Sequence, residues 1–461
     1  MPDHAESNRY RAITRANINE LPEWRRLPEE LRDGLQVVSA VLPFKTNAYV
    51  VRELIDWDRV PDDPIFALTF LQREMLDAAD YAQMAELVRS DAPKAQIKAT
   101  ADEIRGRLSP HPAGQMTHNV PSLGGRALAG MQHKYRETVL FFPAQGQTCH
   151  AYCTFCFRWA QFVGNPSTKF ESRETADLTA YLRAHPEVRE VLVTGGDPMV
   201  MKAKVLARYL EPLLTPEFEH IDIRIGTKSV AYWPQRFVTD ADADPTLRLF
   251  ERITANGRHL AIMGHYSHPR ELSTEVAQRA VARIRSTGAQ IRMQSPLIRR
   301  VNDDPEAWAQ LWRAGVRLGC IPYYMFVERD TGPKRFFEVP LVRAWEVFRA
   351  AYQRVSGLAR TVRGPTMSAF PGKVLIDGVA EIAGERVFAL QLLQARNPSL
   401  VRQPFYAKFD PQASWFSDLR PAFGAEQFFF ESASESGFES GFESGPREGR
   451  GERPLHLEIV H

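Results

Sequence analysis

Between Thr138 and Phe326 six short apolar runs alternate with amphipathic stretches, and this alternation constrains the fold more than any other feature of the chain. The runs cover residues 138–142, 190–194, 221–225, 259–263, 290–294 and 320–326. Short apolar runs bounded by turn-forming residues read as strands, and helix-length spacers between them imply parallel βα units. In the spacer before the fifth run, Val276, Ala280 and Ile284 recur every four residues, while Arg279, Arg283 and Arg285 take other directions. Thr287-Gly288 ends that helix and Asn256-Gly257 ends the preceding one, because glycine accepts the left-handed conformation that follows a helix terminus. The expectation is an α/β fold: a partial (β/α)6 barrel.

The flanks read differently. From about residue 15 to 105 apolar positions such as Leu31, Leu35, Val38, Val41 and Leu42 recur at helical spacing, which predicts a helical N-terminal region whose role is packing. Beyond Asp377 the pattern weakens into a C-terminal extension. From residue 431 a tandem Glu-Ser-Gly-Phe repeat has too little apolar surface to offset the entropy of ordering, so a mobile tail is expected; residues 455–460 are its only docking candidate. The expected division is residues 1–110 helical, 111–345 barrel, 346–430 C-terminal segment and 431–461 tail. With 58 basic and 56 acidic residues the chain is near neutral, which argues against nucleic acid or an anionic membrane as partner. Its polar start and the lack of long apolar stretches lead to the expectation of a soluble, cytoplasmic protein.

Three of the four cysteines, Cys149, Cys153 and Cys156, fall within eight residues just after the first predicted strand. A CxxxCxxC loop brings three thiolates to one point, and an iron–sulfur cube held by three thiolates keeps one iron open to a small molecule. Zinc is the competing metal, but Cys320 is remote and no second CxxC completes a tetrahedron. Three clustered thiols also leave an odd partner for disulfides.

This spacing, followed by Phe157-Arg158-Trp159, resembles the radical S-adenosylmethionine (SAM) enzymes, and the flanking text is similar to the lysine 2,3-aminomutase family. The ordered matches are residues 133–140 (HKYRETVL), Thr194-Gly195-Gly196-Asp197-Pro198, Arg224-Ile225-Gly226-Thr227, His265-Tyr266-Ser267-His268-Pro269, Gln294-Ser295, Val301-Asn302-Asp303 and Pro322-Tyr323-Tyr324. The overall similarity spans about residues 20 to 375. The resemblance implies a radical SAM barrel with a 4Fe-4S cluster on Cys149, Cys153 and Cys156, SAM on the open iron, and pyridoxal phosphate (PLP). It also implies a small amino-acid substrate and an electron donor of the flavodoxin or ferredoxin type; an assembly of several copies is compatible with the sequence.

The resemblance assigns further residues. Gly195, Gly196 and Asp197 would contact the methionyl amine of SAM, with glycines allowing close backbone approach and the carboxylate accepting from an ammonium; the plain alternative is a tight turn. Arg224 and His265 are candidates for the same pocket, against a structural histidine for His265. Arg158 matches the arginine that grips the substrate carboxylate, a role its fork of donors suits; a surface ion pair is the alternative. Lys373, in Ala369-Phe370-Pro371-Gly372-Lys373, matches the lysine that forms a Schiff base with PLP, although the family's glycine run is shortened here. Lys134 and Tyr135 fall on the PLP side, where Lys134 replaces an arginine and Thr138 stands where another is expected.

Two departures bear on the substrate. The acids that bind the distal ammonium of lysine fall on Arg329, with Asp330 next to it, and on Phe370. An apolar ring cannot neutralise an ammonium, so lysine is not the expected substrate. An inward Arg329 suits an acidic or amide side chain; an inward Asp330 would restore a cation. No cysteine follows Cys320, so a C-terminal zinc staple is not expected. The reading is a radical SAM 2,3-aminomutase, an isomerase that moves an amino group from the α- to the β-carbon through a PLP imine. The alternatives are a PLP-independent radical SAM enzyme acting on a peptide or metabolite, and an electron-transfer iron–sulfur protein.

Overall fold

The computed structural model describes residues 10–109, 119–164 and 169–431. The start of the chain, the 110/111 boundary and the repeat tail therefore lie outside the described residues. One curled sheet of eleven strands organises the chain. Its strands are β1 (Met131–Tyr135), β2 (Thr138–Phe141), β3 (Glu190–Val193), β4 (Asp222–Thr227), β5 (Leu260–His265), β6 (Gln290–Leu297), β7 (Ile321–Val327), β8 (Arg363–Ser368), β9 (Gly372–Ile382), β10 (Glu385–Ala395) and β11 (Pro404–Lys408). All six expected strands are present as β2 to β7, each within a few residues of its apolar run.

Strands β2 to β8 are parallel neighbours. Six helices connect them: Thr175–Ala184, Ala203–Leu210, Ala243–Ala255, Glu275–Ser286, Pro305–Arg317 and Leu341–Gln353. The fourth buries Ala277, Ala280, Val281 and Ile284. Gly257 and Gly288 after the third and fourth helices take φ of +82° and +85°, as their helix-stop reading requires.

The parallel set has seven strands rather than six, since β8 continues it, and the expected boundary at 345/346 falls inside the helix Leu341–Gln353. The C-terminal segment is also more regular than its sequence pattern suggests: β9, β10 and β11 extend the same sheet antiparallel. Ala383 and Gly384, both at positive φ, make the two-residue turn between β9 and β10. These strands pack a second core that includes Val374, Ile376, Phe388, Leu390 and Trp415.

The sheet curls until β1 approaches β10. No hydrogen-bond ladder joins its two edges among the described residues. Side chains bridge the seam instead: Lys134 Nζ donates to the Ala369 carbonyl, and Arg396 Nη2 donates to Asn119 Oδ1 at 2.6 Å. The expected helical N-terminal region is present, with helices Glu29–Val38, Ala78–Arg89 and Lys94–Leu108. Among the described residues no helix is long and apolar enough to cross a membrane.

Candidate active site

The three cysteines lie on the long loop after β2, at the C-terminal edge of the parallel strands, where barrel enzymes concentrate their chemistry. Two structures grip this loop from opposite sides. On the barrel side, the amides of Gly196 and Asp197 donate to the Gly146 carbonyl, both at 3.1 Å, and Asp197 N also donates to Thr148 O at 2.8 Å. On the N-terminal side, Lys45 Nζ donates to the Cys149 carbonyl at 2.7 Å, Tyr10 Oη to the His150 carbonyl at 2.9 Å, and the Tyr152 and Thr154 amides to the Lys45 and Leu68 carbonyls. The N-terminal region thus does more than pack: it fixes the cysteine loop. Burial pushes all three thiols up, Cys156 to about 11. Cys149 feels the Cys156 and Cys153 thiols and Cys153 feels Cys156, so the three share one locale.

The Gly-Gly-Asp turn has a tighter fit than its sequence discloses. A Cβ on Gly196 would meet Thr148 O at 2.4 Å, and one on Gly195, at φ +150°, would meet the Gln147 side chain at 2.2 Å. Glycine is needed here because the cysteine loop lies directly on the turn. Asp197 is 2% exposed and both its oxygens are engaged. Oδ1 accepts from Met199 N and Thr227 Oγ1, while Oδ2 accepts from Lys228 N and Ser229 N and lies 3.2 Å from His150 Nε2. Those donors hold its carboxyl below the usual range against its burial, the His150 contact foremost among them. In this structure the Asp197 acceptors tie the β3 and β4 loops to the cysteine loop.

His265, at the end of β5, does face this region. Its ring stacks on Phe155 of the cysteine loop at 5.8 Å and 20°, and its buried Nδ1 has no hydrogen-bond partner. Burial, with the neighbouring Lys228 charge, pushes the imidazole well below its ordinary value, so it is neutral. Lys228 was not singled out from the sequence. Its Nζ forms a buried pair with Glu271 at 2.9 Å and lowers the Cys153 thiol that burial has raised. Lysine directly after a strand-end threonine was the available signal.

A second group of predicted residues meets inside the curl. Lys373 Nζ sits 4.2 Å from the Tyr324 ring centroid and 5.8 Å from that of Tyr135, and donates to Gln394 Oε1 at 2.8 Å. Burial, then the charges of Arg224 and Arg363, push its amine down to about 7, with Glu190 opposing. One ammonium senses β1, β3, β4, β7 and β8 together because the sheet is curled. Arg224 belongs here and not beside the cysteines as expected: its Nη1 pairs with Glu190 at 2.7 Å, and Glu190 also accepts from Thr138 Oγ1. Lys134 is pushed well below its ordinary value by burial and by Arg396, Arg329 and Lys373; burial raises the Tyr135 phenol.

Between the two groups lie Arg158 and Arg329. Arg158 is 8% exposed, lies 4.0 Å over the Phe142 ring, and leaves Nη1 buried without a partner; burial lowers its pKa to about 10. Arg329 follows β7 and points inward, 5.1 Å from the Phe157 centroid and 5.9 Å from that of Trp415. It is held down mainly by burial, opposed first by Asp330 and then by Glu328. Glu328 is itself raised well above the carboxylate range by burial. Phe370 is 60% exposed with Arg396 stacked 4.7 Å from its ring, so no carboxylate occupies that place.

A partial βα barrel with a cysteine trio after its first parallel strand and a cation-rich interior is the arrangement of a radical SAM enzyme. Comparison with known proteins gives the family. Over 85% of its length the chain is 31% identical to a putative L-lysine 2,3-aminomutase of Aquifex aeolicus, covering 91% of that protein. It is 27% identical to the L-lysine 2,3-aminomutase of Haemophilus influenzae over 54% of this chain and 72% of that one. It is also 30% identical to the Escherichia coli enzyme of the same name over 54% of this chain and 68% of that one. The chain belongs to the lysine 2,3-aminomutase family and is a radical SAM isomerase. No family model matches it. A solved radical SAM methyltransferase from Sphaerobacter thermophilus aligns at 15% identity and a TM-score of 0.36, covering 61% of this chain and 92% of that one, too loosely to carry an argument.

Proposed function

We propose that this enzyme moves the amino group of an α-amino acid other than lysine to the β-carbon, with a 4Fe-4S cluster on Cys149, Cys153 and Cys156, SAM beside it, and PLP on Lys373. The observation that carries the reading is the Lys373 amine, held near pKa 7 inside a cationic lumen that the cysteine loop caps. The donor sets fit these groups. Half-buried thiols with raised pKa values lose their protons readily only to a metal. The unpaired His265 Nδ1 and Arg158 Nη1 await polar partners beside the cysteine loop. Lys134 is pushed down by burial and by neighbouring cations, Arg396 first among them, a repulsion that an anion such as a phosphate between Lys134 and Arg396 would relieve.

When bound, the cluster and SAM supply hydrogen-atom abstraction from an unactivated carbon, and PLP supplies a conjugated system through which nitrogen can migrate. The chain's own residues have definable tasks. Lys373, half neutral at pH 7, offers a nucleophilic amine to an aldehyde. Arg158 presents donors to a carboxylate, its guanidinium held flat against Phe142. Asp197, Lys45 and the two glycines fix the loop geometry, and the aromatic walls of Tyr135, Tyr324 and Phe155 exclude water. Lysine is disfavoured because Arg329 and the outward Phe370 stand where a distal ammonium would need acids. An external one-electron donor completes the proposal.

The test incubates reduced, PLP-loaded protein and SAM with each proteinogenic amino acid and assays for β-isomers. A single non-lysine β-amino acid is expected; preferred conversion of lysine would refute the substrate reading. Borohydride reduction followed by mass spectrometry should place a pyridoxyl group on Lys373, and its absence would favour PLP-independent radical chemistry.

A further inference from the structure

Arg329 is an inward guanidinium with no hydrogen bond or ion pair among the described residues. It is flanked by Phe157 and Trp415, both apolar faces that orient a guanidinium without satisfying its donors. Its sequence neighbours Glu328 and Asp330 favour its charge but make no ion pair with it, and burial raises the Glu328 carboxyl well above the carboxylate range. Arg158, one residue beyond Phe157, carries a second unsatisfied donor nitrogen, its buried Nη1. The two guanidinium carbons lie 5.1 and 5.7 Å from the same Phe157 ring centroid, so their separation cannot exceed the sum of those distances. A carboxylate gripped by an arginine sits with its oxygens about 2.7 to 2.9 Å from the donors. That ceiling is compatible with one ligand carrying two carboxylates joined through two or three carbons, one on each guanidinium.

We infer that the substrate is a dicarboxylic α-amino acid, its α-carboxylate on Arg158 and its side-chain carboxylate on Arg329. This rests on the aminomutase reading and names the substrate class for that site. The conversion is an isomerisation. The Cα–N bond breaks, a Cβ–N bond forms, and the hydrogen removed from Cβ ends on Cα, so no atom or electron is gained or lost. The product is the corresponding β-amino dicarboxylic acid. An uncharged side chain leaves Arg329 unsatisfied, and a distal ammonium meets it as a like charge.

The experiment measures binding by calorimetry to anaerobically assembled holoenzyme, without reductant, for L-glutamate, L-aspartate, L-norvaline and L-lysine. At least one dicarboxylic acid should bind about 30-fold or more tighter than norvaline and lysine, the effect of one desolvated charge pair. Arg329→Gln should erase that preference while leaving norvaline affinity in place. Tighter binding of lysine than of either acid would overturn the inference, as would an equal loss for every ligand in R329Q. So would a loss of PLP retention in R329Q without amino acid present, which would make the cofactor phosphate the anion at Arg329. If R329Q does not fold, the ranking on the unaltered enzyme decides. Turnover separates this inference from the reading beneath it: selective dicarboxylate binding with no β-isomer supports the site and strikes the aminomutase assignment, whereas efficient isomerisation of a neutral or cationic amino acid does the reverse.

Discussion

The Lys373 amine should titrate more than three pH units below an ordinary lysine. Its value of about 7, against 10.5 for the unperturbed group, corresponds to a penalty of ~5 kcal/mol on the charged form. At pH 7 about half of the Lys373 amines are then neutral, compared with roughly one in 3,000 for a free lysine. Part of that penalty can be removed by mutation. Lys373 Nζ and the Arg363 guanidinium carbon are each 4.2 Å from the Tyr324 centroid, so they are no further apart than twice that distance. Two like charges about 8 Å apart repel by ~2 kcal/mol at an effective dielectric of ~20. Arg363→Gln should therefore raise the midpoint by roughly one pH unit, and Glu190→Gln, which removes an attraction, should lower it. The assay mixes cofactor-free protein with PLP from pH 5.5 to 10.5, traps the adduct with borohydride at short times, and quantifies the pyridoxylated Lys373 peptide. A capture midpoint near 10, or one that R363Q leaves in place, would refute the reasoning. Thermodynamic linkage gives a companion result. The unfolded chain holds the Lys373 proton up to about pH 10.5 and the folded chain only to about 7, so this group makes cofactor-free protein more stable as pH rises through that window.

Other expectations concern the cysteine loop. Asp197→Ala leaves buried donors from three segments unsatisfied and should cost ~3 kcal/mol or more in denaturant unfolding of the metal-free protein; unchanged stability with weakened SAM binding would return Asp197 to a ligand role. Lys45→Ala removes a charged hydrogen bond to the Cys149 carbonyl worth ~2 kcal/mol, so iron should be lost to a chelator about tenfold or more faster with the helical content unchanged; an unaltered rate would show that the N-terminal clamp is dispensable. Gly196→Ala drives a methyl into the Thr148 backbone and should abolish iron loading, read as iron per chain; full loading would mean that the loop can move aside.

The strands around the barrel were legible because a buried parallel strand must be apolar along its whole length and is spaced by a helix from the next, a pattern that survives in one dimension. The cysteine trio stood out in the sequence by its spacing, and Lys373 by its place after Pro371-Gly372. Strands β9 to β11 were hidden: register shifts between Lys373 and Val374 and between Ile376 and Gly378 break the alternation, and only the Ala383-Gly384 turn marked the hairpin. The Lys228–Glu271 pair, 43 residues apart in sequence, and the Lys45 clamp, 104 residues from its acceptor, left no local trace. The inward hydrogen bonds of Asp197 were hidden for a related reason, since a carboxylate beside glycines looks the same in sequence whether it turns to a ligand or into the protein.

The double grip on the cysteine loop has a consequence for biogenesis. One set of its tethers, from Tyr10, Lys45 and Leu68, is synthesised well before the loop and the other some fifty residues after it, so neither a nascent barrel nor an isolated amino-terminal fragment holds the cysteine loop from both sides. Under the proposed cluster assignment, insertion would follow the docking of both flanks, which would make metallation a late step in folding rather than its nucleus.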